Sequence, residues 1–174
     1  TLDAKVGYDF CSSMYRTAEV LQMAGIESEV LFLAGCAAMD RSRDILVDQF
    51  MESDCTHMMQ LDSDLGWNPE DILRLLDHDV DFVSGVYPVK QAEPKFLVNF
   101  NGERRTGLIG ATGTPGGFCL IKRKAIERMY TWWGELYAVG ESDGVNGKEL
   151  HWLHTHEVRD GRVWGEDMVF CRRA

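Results

Sequence analysis

The sequence lacks the features that hold a small secreted domain together or carry a chain through a membrane. Its five cysteines are widely spaced and odd in number, and no Cys-x-x-Cys occurs. We therefore expect free thiols in a reducing compartment rather than a disulfide framework. The apolar runs are too short to span a bilayer, and no basic segment followed by an apolar stretch opens the chain as a signal peptide would. These features predict a cytoplasmic protein with no membrane span.

Positive charge is scarce as well. Lysine and arginine together number 18 against 28 acidic residues, which gives a formal net charge of −10. Non-specific binding to nucleic acid depends on clustered cations that release counterions from phosphates, so we expect none here. A nucleotide diphosphate remains compatible with this acidity, because a bound divalent cation reverses the local field.

The order of apolar segments predicts an α/β fold. A length of 174 residues fits one domain with a substantial core. Strand-like and helix-like segments alternate through the first half, which predicts a Rossmann-like, mostly parallel sheet with helices on both faces. The predicted strands of this half are 5–8, 29–33, 56–61 and 81–87, with helices from 12, over 38–52 and from 69.

After Lys90 the alternation loosens. Segments 96–100 and 106–109 are typical of short antiparallel strands around an Asn101-Gly102 turn. A buried strand over 116–121 leads into a helix over 123–133, and a last helix opens at 165.

The acidic motif Asp62-Ser63-Asp64 stands where an apolar run stops. If the backbone is still extended there, side chains two residues apart point the same way, so Asp62 and Asp64 share one divalent cation while Ser63 faces elsewhere. Two carboxylates leave most of an octahedral shell to water or phosphate oxygens. The alternative is a solvated turn after a buried strand. Pro69 then starts a helix, which places the motif at a strand's carboxyl end, where ligands bind in open α/β sheets.

Five segments together resemble the GT-A-type nucleotide-sugar glycosyltransferases, in particular short bacteriophage and bacterial members with a DxD motif. They are Arg43-Asp-Ile-Leu-Val47, Leu61-Asp-Ser-Asp-Leu-Gly-Trp67, Val83-Ser-Gly-Val-Tyr-Pro88, Gly116-Gly-Phe-Cys-Leu-Ile121 and Glu166-Asp-Met-Val-Phe-Cys171. The resemblance implies one GT-A-like domain over 1–174, with a nucleotide-binding half over about 1–90 and an acceptor half over about 91–174.

The implied activity is a metal-dependent, inverting transfer of a sugar from a nucleotide-diphosphate donor to an acceptor. The acceptor class stays open among a glycan, a lipid carrier, a protein and a modified base. A manganese or magnesium ion would bridge the diphosphate and the aspartates of the acidic motif. Such a cation stabilises the charge that builds on the departing diphosphate more in the transition state than in the ground state.

The resemblance also assigns roles to single residues. Asp62 and Asp64 would hold the metal, and Ser63 belongs to the same donor-binding motif. Glu166 and Asp167 match the position of the catalytic base, with Asp167 as the preferred base. The remaining donor-binding candidates are Tyr8, Asp9, Arg43 and Gly117. Each also has a structural explanation, such as a turn, a helix start or a surface ion pair.

Members of this type often carry a further histidine ligand after the Glu-Asp helix, whereas this sequence stops at Ala174. Either the metal has only aspartates and solvent, or a C-terminal part is missing. His154 and His156 precede the helix and are further candidates for a metal role, although core or surface positions explain them too. Two other functions remain open. One is an inactive or binding-only nucleotide-sugar module, and the other is a nucleotidyltransferase of similar fold.

Overall fold

The computed structural model describes residues 6–36, 38–138 and 147–174. Within these ranges the chain forms five helices and nine strands. The helices are α1 (Tyr8–Met23), α2 (Met39–Glu52), α3 (Pro69–Asp77), α4 (Arg123–Trp132) and α5 (Glu166–Arg173). The strands are β1 (His57–Leu61), β2 (Phe82–Ser84), β3 (Asn99–Arg105), β4 (Leu108–Gly113), β5 (Phe118–Lys122), β6 (Leu136–Ala138), β7 (Glu149–His151), β8 (Glu157–Arg159) and β9 (Arg162–Trp164).

The central sheet is antiparallel, so the prediction of a mostly parallel Rossmann-like sheet is wrong. Strand β5 lies between β1 and β2 and pairs antiparallel with both. The other strand pairs of the described residues, β3–β4, β6–β7 and β8–β9, are two-stranded and antiparallel. The physical reason is the connection from β2 to β5. It contains the β3–β4 hairpin instead of a crossover helix and returns the chain to the end of the sheet that it left.

Two segments predicted as strands are not strands. Residues 29–33 have no regular structure, and Val30, Leu31 and Phe32 are exposed by 53%, 43% and 68%. Their composition favours extended backbone, but within the described residues no neighbouring strand pairs with them. Of the predicted first strand, residue 5 lies outside the described residues, Val6 and Gly7 have no regular structure, and Tyr8 already belongs to α1.

The β3–β4 hairpin turns later than predicted. Its two-residue loop is Thr106-Gly107, where both residues have positive φ, 45° and 81°. That combination is typical of a type I′ turn, whose twist suits a hairpin. Gly102, placed at the turn by the prediction, lies inside β3 at a register shift between Phe100 and Arg104. The Asn-Gly signal therefore marks a bulge here.

Each face of the central sheet carries its own apolar core. Met58 and Ile121 lie on one face, in a cluster with residues of α2, α4 and α5 such as Phe50. Leu120 lies on the other face, in a cluster with residues of α1 and α3 such as Ile72. The two clusters arise because alternate residues of a strand point to opposite faces. Each fully buried side chain of this size contributes roughly 1.5–3 kcal/mol to the free energy of unfolding. None of the helices of the described residues is both long and apolar enough to cross a membrane.

Candidate functional site

The antiparallel placement of β5 brings three loops to one end of the central sheet. Leu61 at the end of β1 pairs with Phe118 at the start of β5, and Ser84 at the end of β2 pairs with Cys119. The residues that follow β1 and β2 therefore meet the residues that precede β5. The Asp62 N–H donates to the carbonyl of Gly117 over 2.9 Å, and the Gly117 N–H donates to the hydroxyl of Tyr87 over 3.0 Å.

Arg43 of α2 lies at this end of the sheet, and its guanidinium group contacts two carboxylates. Its Nη2 lies 3.3 Å from Asp62 Oδ1 and its Nη1 lies 3.2 Å from Glu166 Oε1. Only 8% of Arg43 is exposed. Burial disfavours its charge, but the nearby carboxylates Asp62, Glu166 and Asp167 outweigh burial and raise its pKa. Arg43 is therefore a fixed cation that orients acidic groups from two distant parts of the chain.

Glu166 and Asp167 occupy the first turn of α5, where negative charge is favoured by the helix dipole. Both oxygens of Glu166 have partners, because Oε1 contacts Arg43 and Oε2 lies 3.5 Å from His156 Nε2. Asp167 Oδ1 accepts the N–H of Met168 over 2.7 Å. Of the two carboxylates, Asp167 has no cationic partner within the described residues.

The acidic motif is a turn and not the end of an extended strand. The Leu65 N–H donates to the carbonyl of Asp62 over 3.1 Å and closes the turn. The condition of extended backbone at Asp62 and Asp64 is therefore not met, and any cation that both carboxylates bind would be held by a turn. Asp62 contacts Arg43, whereas Asp64 forms a 2.7 Å ion pair with Lys90 and is 63% exposed. Ser63 contributes its carbonyl, which accepts the N–H of Gly7 over 3.3 Å.

That Gly7–Ser63 contact brings the start of α1 to the acidic turn. Tyr8 is 84% exposed, and Asp9 packs so closely against the turn that a Cβ on Gly66 would approach its Cβ within 2.9 Å. Both residues thus lie near the motif with which they were grouped. Trp67 is different, since it belongs to the apolar core under α1 and α3 and donates its Nε1–H to Thr17 over 2.9 Å.

Gly116 and Gly117 allow a close approach of the protein's own side chains. A Cβ on Gly117 would overlap the Asp62 carboxylate and the Tyr87 hydroxyl. A Cβ on Gly116 would lie 2.8 Å from Arg43 Nη1. Crowding by the protein's own side chains therefore explains glycine at both positions. Burial and the charge of Asp62 also raise the pKa of Tyr87 to about 12, so its hydroxyl stays protonated at neutral pH.

We call the group formed by Arg43, Asp62, Asp64, Glu166 and Asp167 the carboxylate site. No group of three or more histidine, cysteine, aspartate or glutamate side chains is placed to hold a metal in residues 6–36, 38–138 and 147–174. The acidic turn thus offers at most two carboxylates. That donor set fits only a cation whose other ligands are water or phosphate oxygens.

A second polar cluster lies directly behind the carboxylate site, and sequence reasoning missed it. His154, 1% exposed, donates from Nδ1 to Asp44 Oδ1 over 2.8 Å and accepts at Nε2 from Gln60 over 3.4 Å. Cys119 donates to Gln60 Oε1 over 3.3 Å, and the Tyr137 hydroxyl donates to Asp44 Oδ2 over 3.2 Å. We call these five residues the buried network.

Burial shifts the pKa values of three residues of the buried network. Burial raises the pKa of Asp44 to about 7 and that of the Cys119 thiol to about 12. It lowers the pKa of His154 well below its ordinary value, so the imidazole is neutral. His154 is also stacked on Phe170 with ring centroids 4.1 Å apart. Its surroundings assign His154 to the core, and no local sequence signal links it with a residue 110 positions away.

No protein-family model matches the chain, and no curated protein matches it. A similar solved structure is the crystal structure of A197 from STIV, which aligns over 64% of this chain and 60% of its own. The sequence identity is 23% and the TM-score is 0.42. A similarity of this size carries no conclusion about function.

Proposed function

We propose that the chain is a metal-dependent glycosyltransferase that moves a sugar from a nucleotide-diphosphate donor to an acceptor hydroxyl. The observation that supports this proposal is the convergence at the carboxylate site. Asp62 from the acidic turn and Glu166 from α5 lie on one buried arginine, and the exposed Asp64 follows Asp62 in the same turn. A solvated turn would not require a buried guanidinium that fixes one of its carboxylates.

In this proposal the acidic turn receives the diphosphate. Asp62 and Asp64 hold a manganese or magnesium ion, which offsets the negative charge of the departing diphosphate. Arg43 keeps Asp62 in place through its 3.3 Å contact. Lys90, 71% exposed beside Asp64, exchanges its carboxylate partner for a phosphate oxygen when the donor binds.

The same site supplies a base for the acceptor. Glu166 is held by Arg43 and His156, so its role is to position α5 and the acidic groups around it. Asp167, its neighbour in the first turn of α5, takes the proton of the acceptor hydroxyl. A carboxylate that works as a base from the acceptor side corresponds to an inverting transfer.

Thermal unfolding with a panel of nucleotide diphosphates, each with and without manganese, tests the donor site. A ligand present at a hundred times its Kd stabilises the native state by about 2.7 kcal/mol. We expect one nucleotide to raise the midpoint only with manganese, and Asp64→Ala to remove that rise. Asp64 is the suitable position because it is exposed and its loss should leave the fold intact.

Asp54→Ala is the matched control, since Asp54 is an exposed acid in the loop before β1. It should retain the full rise. Absence of a shift with every nucleotide contradicts the donor site altogether. A shift that does not need manganese, or that survives in Asp64→Ala, contradicts the role of the acidic turn.

A second candidate is a module that binds the nucleotide sugar without turning it over. It is favoured by the pairing of Asp64 with Lys90 and by the absence, within the described residues, of a group of three metal-ligating side chains. Slow hydrolysis of the donor with manganese separates the two. A transferase releases free sugar and loses that activity in Asp167→Asn, whereas a binding module shows the thermal shift but no hydrolysis.

A further inference from the structure

Aromatic side chains gather on a part of the surface that shares no residue with the carboxylate site. Trp132 and Trp133 end α4, Tyr137 lies in β6, and Trp152 directly follows β7. The three tryptophans are 66%, 39% and 43% exposed in that order. We call these four residues the aromatic surface. Tryptophan is costly to leave in water, so three half-exposed indoles in one place indicate a binding surface.

The aromatic surface contains two small cavities, and Trp152 lines both. One has a volume of about 230 Å³ and is lined by Asp40, Arg41, Tyr137 and Trp152. The other has a volume of about 210 Å³ and is lined by Trp132, Trp133, Gly134, Glu135, Trp152 and Arg173. Both are smaller than the roughly 300–1,000 Å³ of pockets for drug-sized ligands. Each therefore suits a single small ring, and the shared residue Trp152 makes the two cavities adjacent.

Three residues of the aromatic surface have fixed partners in the protein. The backbone N–H of Trp152 donates to the carbonyl of Glu135 over 2.9 Å, and the backbone carbonyl of Trp152 accepts from Arg173 over 2.7 Å. The same guanidinium lies 4.9 Å over the Trp133 ring. Tyr137 meets Trp152 edge to face, with centroids 6.2 Å apart, and its hydroxyl is anchored on Asp44. These contacts reduce the side-chain freedom that Trp133, Tyr137 and Trp152 would lose on binding.

The lining chemistry selects among ligands. Asp40, Arg41, Glu135 and Arg173 place charged groups of both signs beside the aromatic rings. A nucleic acid would meet two carboxylates here on a chain of net charge −10. A sugar ring fits better, because it has an apolar C–H face for stacking on an indole and hydroxyls that donate to carboxylates and accept from guanidinium groups.

We propose that the aromatic surface binds a neutral oligosaccharide, with consecutive sugar rings on the two sides of Trp152. This binding does not depend on the proposed transfer reaction, because donor, metal and carboxylate site take no part in it. Two rings on two preorganised faces give the surface a preference for chains over single sugars.

Titration of the whole chain with short neutral oligomers of glucose, mannose, galactose and N-acetylglucosamine, followed by calorimetry and tryptophan fluorescence, tests the proposal without donor or metal. We expect at least one series to bind, with oligomers tighter than the monosaccharide. Trp152→Ala should weaken binding by about tenfold or more, as expected for a central aromatic contact. Trp132→Ala, which touches one cavity only, should weaken the oligomer while the monosaccharide affinity changes little.

Tyr15→Ala is the matched control, because Tyr15 is a 70% exposed aromatic residue of α1 outside the aromatic surface. It should bind like the parent protein. An unchanged urea unfolding midpoint shows that the tryptophan variants are folded. If Trp152→Ala does not fold, Trp132→Ala alone tests the proposal. Absence of binding in every series overturns the proposal, as does binding that neither tryptophan variant weakens. Self-association lost in Trp152→Ala, without glycan binding, would make the surface an interface between copies and also overturn it.

Discussion

Arg43 and Asp44 are neighbours in α2, yet they belong to two clusters with opposite relations to solvent. Arg43 points to the carboxylate site, where Asp62 is 33% exposed and Asp64 is 63% exposed. Asp44 points to the buried network, where its own side chain and that of His154 are 0% and 1% exposed. In the network, protein groups supply the hydrogen bonds. In the carboxylate site, acidic oxygens still face water.

The difference shows that buried charge does not by itself mark a functional site. Large pKa shifts occur in the buried network, at Asp44, Cys119 and His154, although all three residues are buried. Such shifts occur in structural networks as well as in active sites. The open carboxylates beside a fixed cation, and not the size of any pKa shift, make the carboxylate site the better candidate.

Removal of Arg43 should have the largest effect. Arg43→Ala leaves Asp62 and Glu166 without their shared cation, and breaking a buried pair costs about 3–5 kcal/mol. Urea unfolding measures the loss. Arg74→Ala is the control, since Arg74 is 73% exposed in its pair with Asp71 and should change stability by less than about 1 kcal/mol. Equal effects of the two substitutions would contradict the view that Arg43 holds the site together.

Asp44→Asn tests whether the protonation of Asp44 makes the stability of the protein depend on pH. The pKa of Asp44 rises from 3.8 to about 7 in the folded protein. Between these values the native state keeps a proton that the unfolded state has lost, so this contribution to stability is present below about pH 4 and is lost as pH rises through 7. Asparagine does not titrate. Relative to wild type, the variant should gain up to about 4 kcal/mol from pH 4 to 8.

Stability curves of both proteins at several pH values measure that difference. The depressed pKa of His154 acts in the opposite direction, because its neutral form is favoured in the native state. Subtraction of the two curves cancels the part of this effect that the proteins share. A difference that stays constant with pH would show that Asp44 does not titrate in this range.

His154→Ala should separate the two clusters. It removes one hydrogen-bond partner each from Asp44 and Gln60 and the stack on Phe170, which should cost about 2–4 kcal/mol. His156→Ala is the matched control, because His156 is 57% exposed against Glu166, and it should cost less than about 0.5 kcal/mol. If the exposed histidine proved the more important for stability, the contrast between the clusters would be wrong.

Lys90→Ala should have the smallest effect on stability and a specific effect on metal binding. Its exposed pair with Asp64 is worth less than about 1 kcal/mol. Without the Lys90 ammonium group, manganese no longer competes with a lysine for the Asp64 carboxylate. We therefore expect manganese to bind several-fold more tightly, as measured by calorimetry. Lys124→Ala, which removes an exposed lysine from its pair with Asp81, should leave manganese affinity unchanged. Weaker manganese binding in Lys90→Ala would contradict a metal role for the acidic turn.

Local signals in the sequence predicted several elements well. The helix predicted over 38–52 is Met39–Glu52, and the helix expected from Pro69 is Pro69–Asp77. The segments expected as strands over 56–61 and 116–121 contain β1, His57–Leu61, and most of β5, Phe118–Lys122. These elements have caps, breakers or apolar runs within a few residues of their ends. The motifs at their ends placed Arg43, Asp62, Asp64, Glu166, Asp167 and Gly117 among the candidates, and the structure joins most of them at one end of the sheet.

What local signals cannot contain is the partner and the direction of each strand. An apolar segment such as Phe118–Lys122 has the same composition whether it runs parallel or antiparallel to β1, and residues 29–33 look like a strand although no strand pairs with them. The turn at Asp62 likewise depends on contacts with Gly117 and Arg43. Alternation of strands and helices therefore led to a parallel sheet that the fold does not have.

The start of α1 was expected at residue 12 but lies at Tyr8. By itself the sequence determined the bounds of α2 to within one residue, the start of α3, which segments are apolar enough for the core, and which acidic and basic residues follow the strands. It did so because capping, periodicity and turn chemistry act over a few neighbouring positions. Only the tertiary structure decided that β5 lies antiparallel between β1 and β2, that Arg43 binds Asp62 and Glu166 while Asp44 binds His154, and that three tryptophans share one surface. Those choices depend on contacts between residues far apart in the chain, whose free energy is released only when the whole sheet and its covering helices are packed.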